Sequence, residues 1–541
     1  MLPASPRRPL LEVSARNELL ILIFVLLLMT VPWLGTTFFN SKGEPREAIV
    51  AVSMLQSGNW VLPTTYGGDI PYKPPFLAWI IAVFSLIFNS GTVNEFCSRL
   101  PSALAMTAMV TGFYIWLRNR EGRGVAFTAA IVLATSFEVF RSSVICRVDM
   151  LLTACIVLSL LLMHSWRQSR KWWKIPSIIL LLSGAVLTKG PVGALLPCLA
   201  MGIYCLIKKD NFFFTVGWLT GLCAASMLLP AVWYVAAYEQ GGDSFLSLVR
   251  EENLGRLTGS MGYDSHLNPW YYNLLTILWG MLPWTIVTIV AMFVRKWQKP
   301  RLGDVALFSL TAALTVLVFY CIPSSKRSVY LLPMYPFMAY GVARLMAETA
   351  ESRTVKVYAR VWVWIVLVAS ALVVVVPYLS LGKLQILAPQ WWQWPVAAVA
   401  PGVCIFLLHR RVGALKSLPA STAALFFCYL SVAQPLALNP KSDRTHVAEV
   451  QQLLDADLPV YTLIEDSLMR YYTINFYVSD RLRRIESVDT SRLQPPYAVL
   501  VQEQCLDKLP DYVNDSYEAA ELTPRSCDNR RGIIICKVKG K

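Results

Sequence analysis

Long apolar runs, each near the roughly 20 residues that cross a bilayer, alternate with short polar turns along most of this chain. They predict membrane helices over 18–38, 100–117, 125–145, 150–166, 175–189, 191–207, 212–237, 269–294, 303–323, 329–347, 360–381, 391–408 and 417–437, thirteen spans in all. Between the first two lies a long polar segment, 39–98, with an amphipathic stretch (Ala48 to Leu55), a turn at Ser57-Gly58-Asn59 and an apolar run from Phe76 to Phe88. That run falls short of the ~17 residues a crossing needs, so we read it as lying in the membrane surface. Beyond 438 the pattern changes to strand-like runs at Val460–Ile464, Tyr497–Gln502 and Ile533–Val538, with a helix-like stretch at Ser467–Tyr477. The expected architecture is an all-α polytopic membrane domain (1–437) followed by a small soluble α/β domain (438–541).

Composition agrees with this class. Of 541 residues, 55% are hydrophobic and 15% charged, and the mean hydropathy is +0.49, outside the range of a soluble globular chain. The N-terminus, with Arg7 and Arg8 before an apolar run, resembles a signal peptide without an obvious cleavage site, and is read as an uncleaved first helix. The net charge of +15 does not call for nucleic acid, because the basic residues fall in every second turn, as cytoplasmic loops do. This alternation places the N-terminus in the cytoplasm and both 39–98 and the tail outside. Most of the twelve cysteines sit singly in apolar segments, and no zinc spacing is present. Cys505, Cys527 and Cys536 in the tail allow one pair, with the partners unspecified.

The exceptions to the charge rule carry the chemistry. Arg46, Lys73, Arg147, Lys189, Arg250, Arg256, Lys326 and Arg327 come from separate loops but converge on the outer face. One such cation is ordinarily a snorkelling side chain; the group suits an anionic ligand at the outer leaflet, most simply a lipid phosphate. The carboxylates Glu44 and Asp149 lie on the same face. Glycosyl transfer needs an anion or base beside the sugar carbon and cations for a departing phosphate. Proteolysis fits poorly, because His266 has no evident Ser or Cys partner and no HExxH motif exists. His266 is open between a ligand for a divalent metal, a base and an interfacial histidine. The long loop 238–268 that carries it and the loop 39–98 are the candidate catalytic loops.

Glu44-Pro45-Arg46, Met54 to Pro63 and Tyr72-Lys73-Pro74-Pro75 resemble the first outer loop of the lipid A aminoarabinose transferase (ArnT) and bacterial protein-mannosyltransferase-like family. Arg99 to Ser102, Thr188 to Pro191, His266 to Tyr272 and Lys326 to Pro333 continue the match in order. The resemblance implies a GT-C fold and a polyprenyl-phosphate sugar donor used on the outer face of a bacterial inner membrane. It implies that Lys73 contacts the donor phosphate, that Arg46 and Asp149 belong to the catalytic cavity, and that Tyr330 lies near the donor. Two positions depart from the family pattern: Gly43 stands where an Asp precedes the Glu, and Tyr72 where a Glu precedes the Lys-Pro.

The expected function is glycosyl transfer from undecaprenyl phosphate to lipid A, another glycolipid or glycan, or a protein hydroxyl. In this reading Glu44, Asp149 and Arg46 are catalytic, and Lys73, Lys189, Arg256, Lys326, Arg327 and Tyr330 bind the donor phosphate. A flippase for the same lipid is the rival class. It needs polar residues through the bilayer, whereas these spans are nearly uncharged inside.

Overall fold

The computed structural model describes residues 14–41, 43–66, 68–71, 73–252, 267–295, 303–378, 387–442, 444, 447–463, 470–484, 493–502, 520–521 and 533–538. Ser14 caps the first helix, α1 (Ala15–Thr30), by accepting a hydrogen bond from the Asn17 N–H. Helix α2 (Gly43–Ser57) begins with Pro45 in its first turn, where a fixed φ and a missing N–H cost nothing. It starts one turn earlier than the amphipathic stretch at Ala48 suggests. Helix α3 (Phe76–Phe88) is the short apolar run. At ~1.5 Å per residue it spans about 20 Å, too little to cross a bilayer. It buries Leu77, Ala78, Ile81 and Ala82 while Leu86, Ile87 and Phe88 stay exposed.

Helices α4 (Glu95–Glu121), α5 (Arg123–Ala134), α6 (Phe137–Ser143), α7 (Val148–Ser169), α8 (Lys174–Lys189), α9 (Val192–Ile207) and α10 (Phe212–Arg250) follow. Later helices occupy 272–280, 284–294, 304–321, 335–349, 353–375, 393–397, 399–409 and 414–428. The thirteen apolar runs of the sequence each carry a helix or a bent pair. Length and composition qualify seven helices among the described residues as spans, or nine if the pairs 123–134/137–143 (bent 65°) and 272–280/284–294 (bent 92°) each count as one. The most apolar windows of α4 and α7 are 72% and 83% buried, and that of α10 only 22%. The first two therefore form the centre of the bundle, and α10 presents Leu228 and Val232 outward. Those exposed apolar faces suit lipid.

The described strands of the tail form one sheet in the order β2-β1-β3-β5-β4, from β1 (Val460–Leu463), β2 (Arg483–Arg484), β3 (Tyr497–Gln502), β4 (Ala520–Glu521) and β5 (Ile533–Val538). β1 lies parallel to β2 and β3; β5 runs antiparallel to β3 and β4. The strands and the helix Arg470–Tyr477 fall where the tail pattern places them. Of its cysteines, Cys505 and Cys527 lie outside the described residues, so their pairing does too. The sheet grips the 39–98 segment. Tyr66 packs among Val450, Val460, Leu482 and Leu500, and its N–H donates to Asp480 (2.9 Å). The Tyr477 hydroxyl accepts from the Phe39 N–H (2.9 Å) and donates to Glu95 (2.8 Å).

Candidate active site

Three structural decisions bring the charged residues together. The start of α2 at Gly43 puts Arg46 and Glu47 on its first turns. The run Lys73-Pro74-Pro75 breaks regular structure ahead of α3, because a residue before proline is held extended. The third is the tight junction of α8 and α9: Gly190 has φ +79°, and a Cβ on Gly193 would overlap the Ala185 carbonyl. That junction leaves Lys189 at the end of α8, facing the start of α7.

The result is two ion pairs side by side. The Lys73 ammonium pairs with Glu47, whose Oε1 also lies 3.4 Å from Arg46 Nη2. Lys189 Nζ lies 2.7 Å from Asp149 Oδ1 and 4.1 Å above the Tyr330 ring. Asp149 is 8% exposed. Burial opposes a charge on Glu47, but the Lys73 ammonium and the Arg46 guanidinium outweigh it and hold the carboxyl below its ordinary value. Burial also pulls the Lys73 ammonium down to about 8, against the attraction of Glu47. Arg327 is depressed by burial and by the nearby Arg147 and Arg46 cations.

Two cavities meet at Lys73. The larger holds about 1370 Å³ of open space and runs from Lys73, Lys189 and Tyr330 along Leu195, Trp233, Tyr234, Phe245, Leu248 and Phe319. Apart from Glu252 and the lysines its wall is largely apolar or aromatic. The smaller, about 670 Å³, is lined by Arg46, Glu47, Thr65 and Asp69 as well as Lys73. A long apolar channel and a smaller chamber that holds the charged groups Arg46, Glu47 and Asp69 among apolar residues thus share one ammonium group, the geometry of a site that takes an amphiphile by its head.

Two expectations need correction. Glu44 is 2% exposed and pairs with Arg99, while Lys73 pairs with Glu47. Arg99 on α4 grips Glu44 through Nε (2.7 Å) and Nη2 (3.1 Å), and the carboxylate accepts the Cys146 N–H (3.0 Å). With its acceptor sites occupied by a buried guanidinium, Glu44 is a brace, and the carboxylate beside Lys73 is Glu47. Lys326 is also a brace: 4% exposed, its ammonium donates to the carbonyls of Pro323 (2.6 Å) and Asn268 (3.2 Å). Arg46, Lys73, Asp149, Lys189, Arg327 and Tyr330 come together as expected. Arg256 and His266 lie outside the described residues, and among those described no group of three or more His, Cys, Asp or Glu side chains could hold a metal. Glu47 was missed, although its place next to Arg46 was a usable signal.

The chain is similar to known proteins over most of its length. The family described as dolichyl-phosphate-mannose-protein mannosyltransferase matches residues 72–234, a stretch that runs from Lys73 through Asp149 and Lys189 to Trp233. An undecaprenyl phosphate-alpha-4-amino-4-deoxy-L-arabinose arabinosyl transferase of Shewanella sediminis is 24% identical over 477 residues, 85% of this chain and 84% of that one. A second such transferase, from Proteus mirabilis, is 25% identical over 401 residues, 72% and 70% of the two chains. Among solved structures, ArnT from Cupriavidus metallidurans bound to undecaprenyl phosphate superimposes with a TM-score of 0.73 at 18% identity, covering 96% of this chain and 98% of that one.

The chain is a membrane glycosyltransferase, similar over most of its length to the undecaprenyl phosphate-aminoarabinose arabinosyl transferases and sharing the fold of ArnT. With Gly43 and Tyr72 at the two departing positions, Glu47 supplies the carboxylate that neutralises the lysine of the Lys-Pro motif.

Lys73 gives the site a pH limit. Anion binding favours its protonated form, so affinity for undecaprenyl phosphate should change little between about pH 7 and pH 8. Above that it should weaken by up to about tenfold per pH unit, until the bound anion holds the proton in place. A lipid phosphate monoester, with its second pKa near ~6, is already fully charged there. Titration calorimetry across pH 7 to 10 checks this; Lys73→Arg should remove the alkaline loss, and a loss that survives it would exclude Lys73 as the cause.

Proposed function

We propose that this protein transfers a sugar from an undecaprenyl-phosphate carrier to an acceptor on the periplasmic face of a bacterial inner membrane, with lipid A the favoured acceptor. The observation that carries the reading is Lys73 at the junction of an apolar channel and a carboxylate-lined chamber. The prenyl chain lies in the channel, where burial of its CH₂ groups stabilises binding by about 0.8 kcal/mol each. Lys73 and Lys189 receive the phosphate at the channel mouth, and the acceptor enters through the chamber.

In the transfer step the bond between the sugar carbon and the phosphate oxygen breaks, and its electron pair leaves with the phosphate. The acceptor oxygen bonds to the same carbon. If it comes from a hydroxyl, its proton passes to Glu47. The cations around Glu47 keep it anionic until that proton arrives, which suits an oxocarbenium-like centre forming beside it. Asp149 pairs with Lys189, and its charge supports the protonated form of Lys73 nearby. The homologues named above act with undecaprenyl phosphate-aminoarabinose, and that carrier is the donor to try first.

The topology follows from the charge alternation: thirteen crossings, N-terminus cytoplasmic, and a periplasmic domain over 438–541 that holds the catalytic segment 39–98. Purified protein in lipid nanodiscs with radiolabelled undecaprenyl-phosphate sugar tests the reading. Label should move to lipid A, and Lys73→Gln should abolish the transfer. Label that crosses the bilayer unchanged would establish a flippase, and label recovered on protein would make the acceptor a hydroxyl side chain.

A further inference from the structure

Arg147 has no role in the steps above, yet its position is unusual. It is the residue before α7, two before Asp149, and its guanidinium lies directly over the Cα of Gly43. A Cβ at Gly43 would come within 2.7 Å of Arg147 Nη2 and 3.0 Å of Cζ and Nε. Any other residue at 43 would push the guanidinium aside. Its charge is felt at Asp149 and at Arg327, so it belongs to the same cluster.

The other cations at the ion pairs have close carboxylates: Lys73 and Arg46 share Glu47, and Lys189 has Asp149. Among the described residues the Arg147 side chain has no hydrogen bond or ion pair, although it is only partly exposed. Asp149, whose charge Arg147 meets, is already paired with Lys189, which leaves the guanidinium donors open to an incoming anion. Sugar transfer supplies one. The carrier phosphate is a diester with one charge before reaction and a monoester with a second charge after the bond to the sugar carbon breaks.

We propose that Arg147, seated against the bare Cα of Gly43, is the anion-binding residue for the charge that the carrier phosphate gains as it departs. This rests on the glycosyl-transfer reading above. A group that meets charge only as it develops accelerates the chemical step rather than tightening substrate binding. Gly43 is then a specificity device, since an alanine there displaces only the flexible end of Arg147.

The test compares two probes at pH 8: undecaprenyl phosphate, and its methyl ester, which keeps the single charge of a diester. Arg147→Gln and Gly43→Ala should each weaken the monoester by about tenfold or more and change the methyl ester by less than about threefold. The double variant should be no weaker than Arg147→Gln alone, because both changes remove the same contact. Arg147→Lys should recover part of the monoester affinity, which a purely structural role would not require. If Arg147→Gln binds both probes as the unaltered protein does, or loses both equally, the inference is wrong. Gly43→Ala and Arg147→Lys decide the matter if Arg147→Gln does not fold. If the unaltered protein binds neither probe, the glycosyl-transfer reading itself fails, and this inference with it.

Discussion

Replacing Glu47 by glutamine is expected to lower sugar transfer by about a hundred- to ten-thousandfold while undecaprenyl phosphate still binds. The carboxylate lines the smaller chamber beside Lys73, and the cations around it keep it charged. Glutamine keeps the shape and one acceptor oxygen but loses both the negative charge and the ability to take a proton. The binding side of the experiment carries a separate signature. Glu47 supports the protonated form of Lys73, so its removal leaves burial and Arg46 to pull the lysine further down. The alkaline loss of undecaprenyl phosphate affinity should therefore begin at lower pH in Glu47→Gln than in the unaltered protein. Steady-state transfer assays and calorimetry on the same preparation check both halves. Normal transfer by Glu47→Gln would move the catalytic carboxylate to Asp149, whose Asp149→Asn variant is the control.

What the sequence revealed and what it hid divide along physical lines. The helices were legible because apolar periodicity is a local property, and the short α3 was legible from its length. Lys73 and Lys189 were legible because each sits beside prolines or glycine at the outer end of an apolar run, where a cation needs a reason. The partners of Glu44 were not. Arg99 lies 55 residues further on, and only the packing of α4 against the start of α2 makes the contact. Glu44 and Glu47 are three residues apart and so lie on neighbouring parts of one helix face; what separates them is the partner each meets, Arg99 of α4 for Glu44 and Lys73 for Glu47. A reading that starts the helix at Ala48 cannot separate them. Lys326 misled for the same reason: a cation at a helix end looks alike in sequence whether it meets a ligand or the carbonyls of its own loop. The resemblance pointed to the loop in which Lys73 meets Glu47, and its two departures to Gly43 and Tyr72 in the same segment.

Glu44→Gln should damage stability far more than chemistry. The carboxylate holds a buried guanidinium, with side-chain exposures of 3% on each side of the pair. The same Arg99 also donates to the carbonyls of Leu34 (2.8 Å) and Thr37 (2.5 Å), so the segment after α1 is tied to α2 and α4 through one group. Removing one partner of such a pair typically costs about 3–5 kcal/mol, most of it from the uncompensated charge left behind. Glutamine retains one acceptor and should fall at the lower end, about 3 kcal/mol; Glu44→Ala should approach 5 kcal/mol on the same scale. Thermal unfolding in detergent would record this as a clear drop in Tm, with the transfer rate per folded molecule reduced by less than about tenfold. Pairing Glu44→Gln with Arg99→Gln removes both charges and should recover much of the loss, because no unpaired ion then remains in the core. A catalytic Glu44 would behave in the opposite way: Glu44→Gln would unfold normally and fail to transfer, and neutralising Arg99 would restore nothing. Stability and turnover therefore separate the two glutamates cleanly. The one nearer the start of α2 secures the helix, and that frees the one a turn later to face the donor lysine.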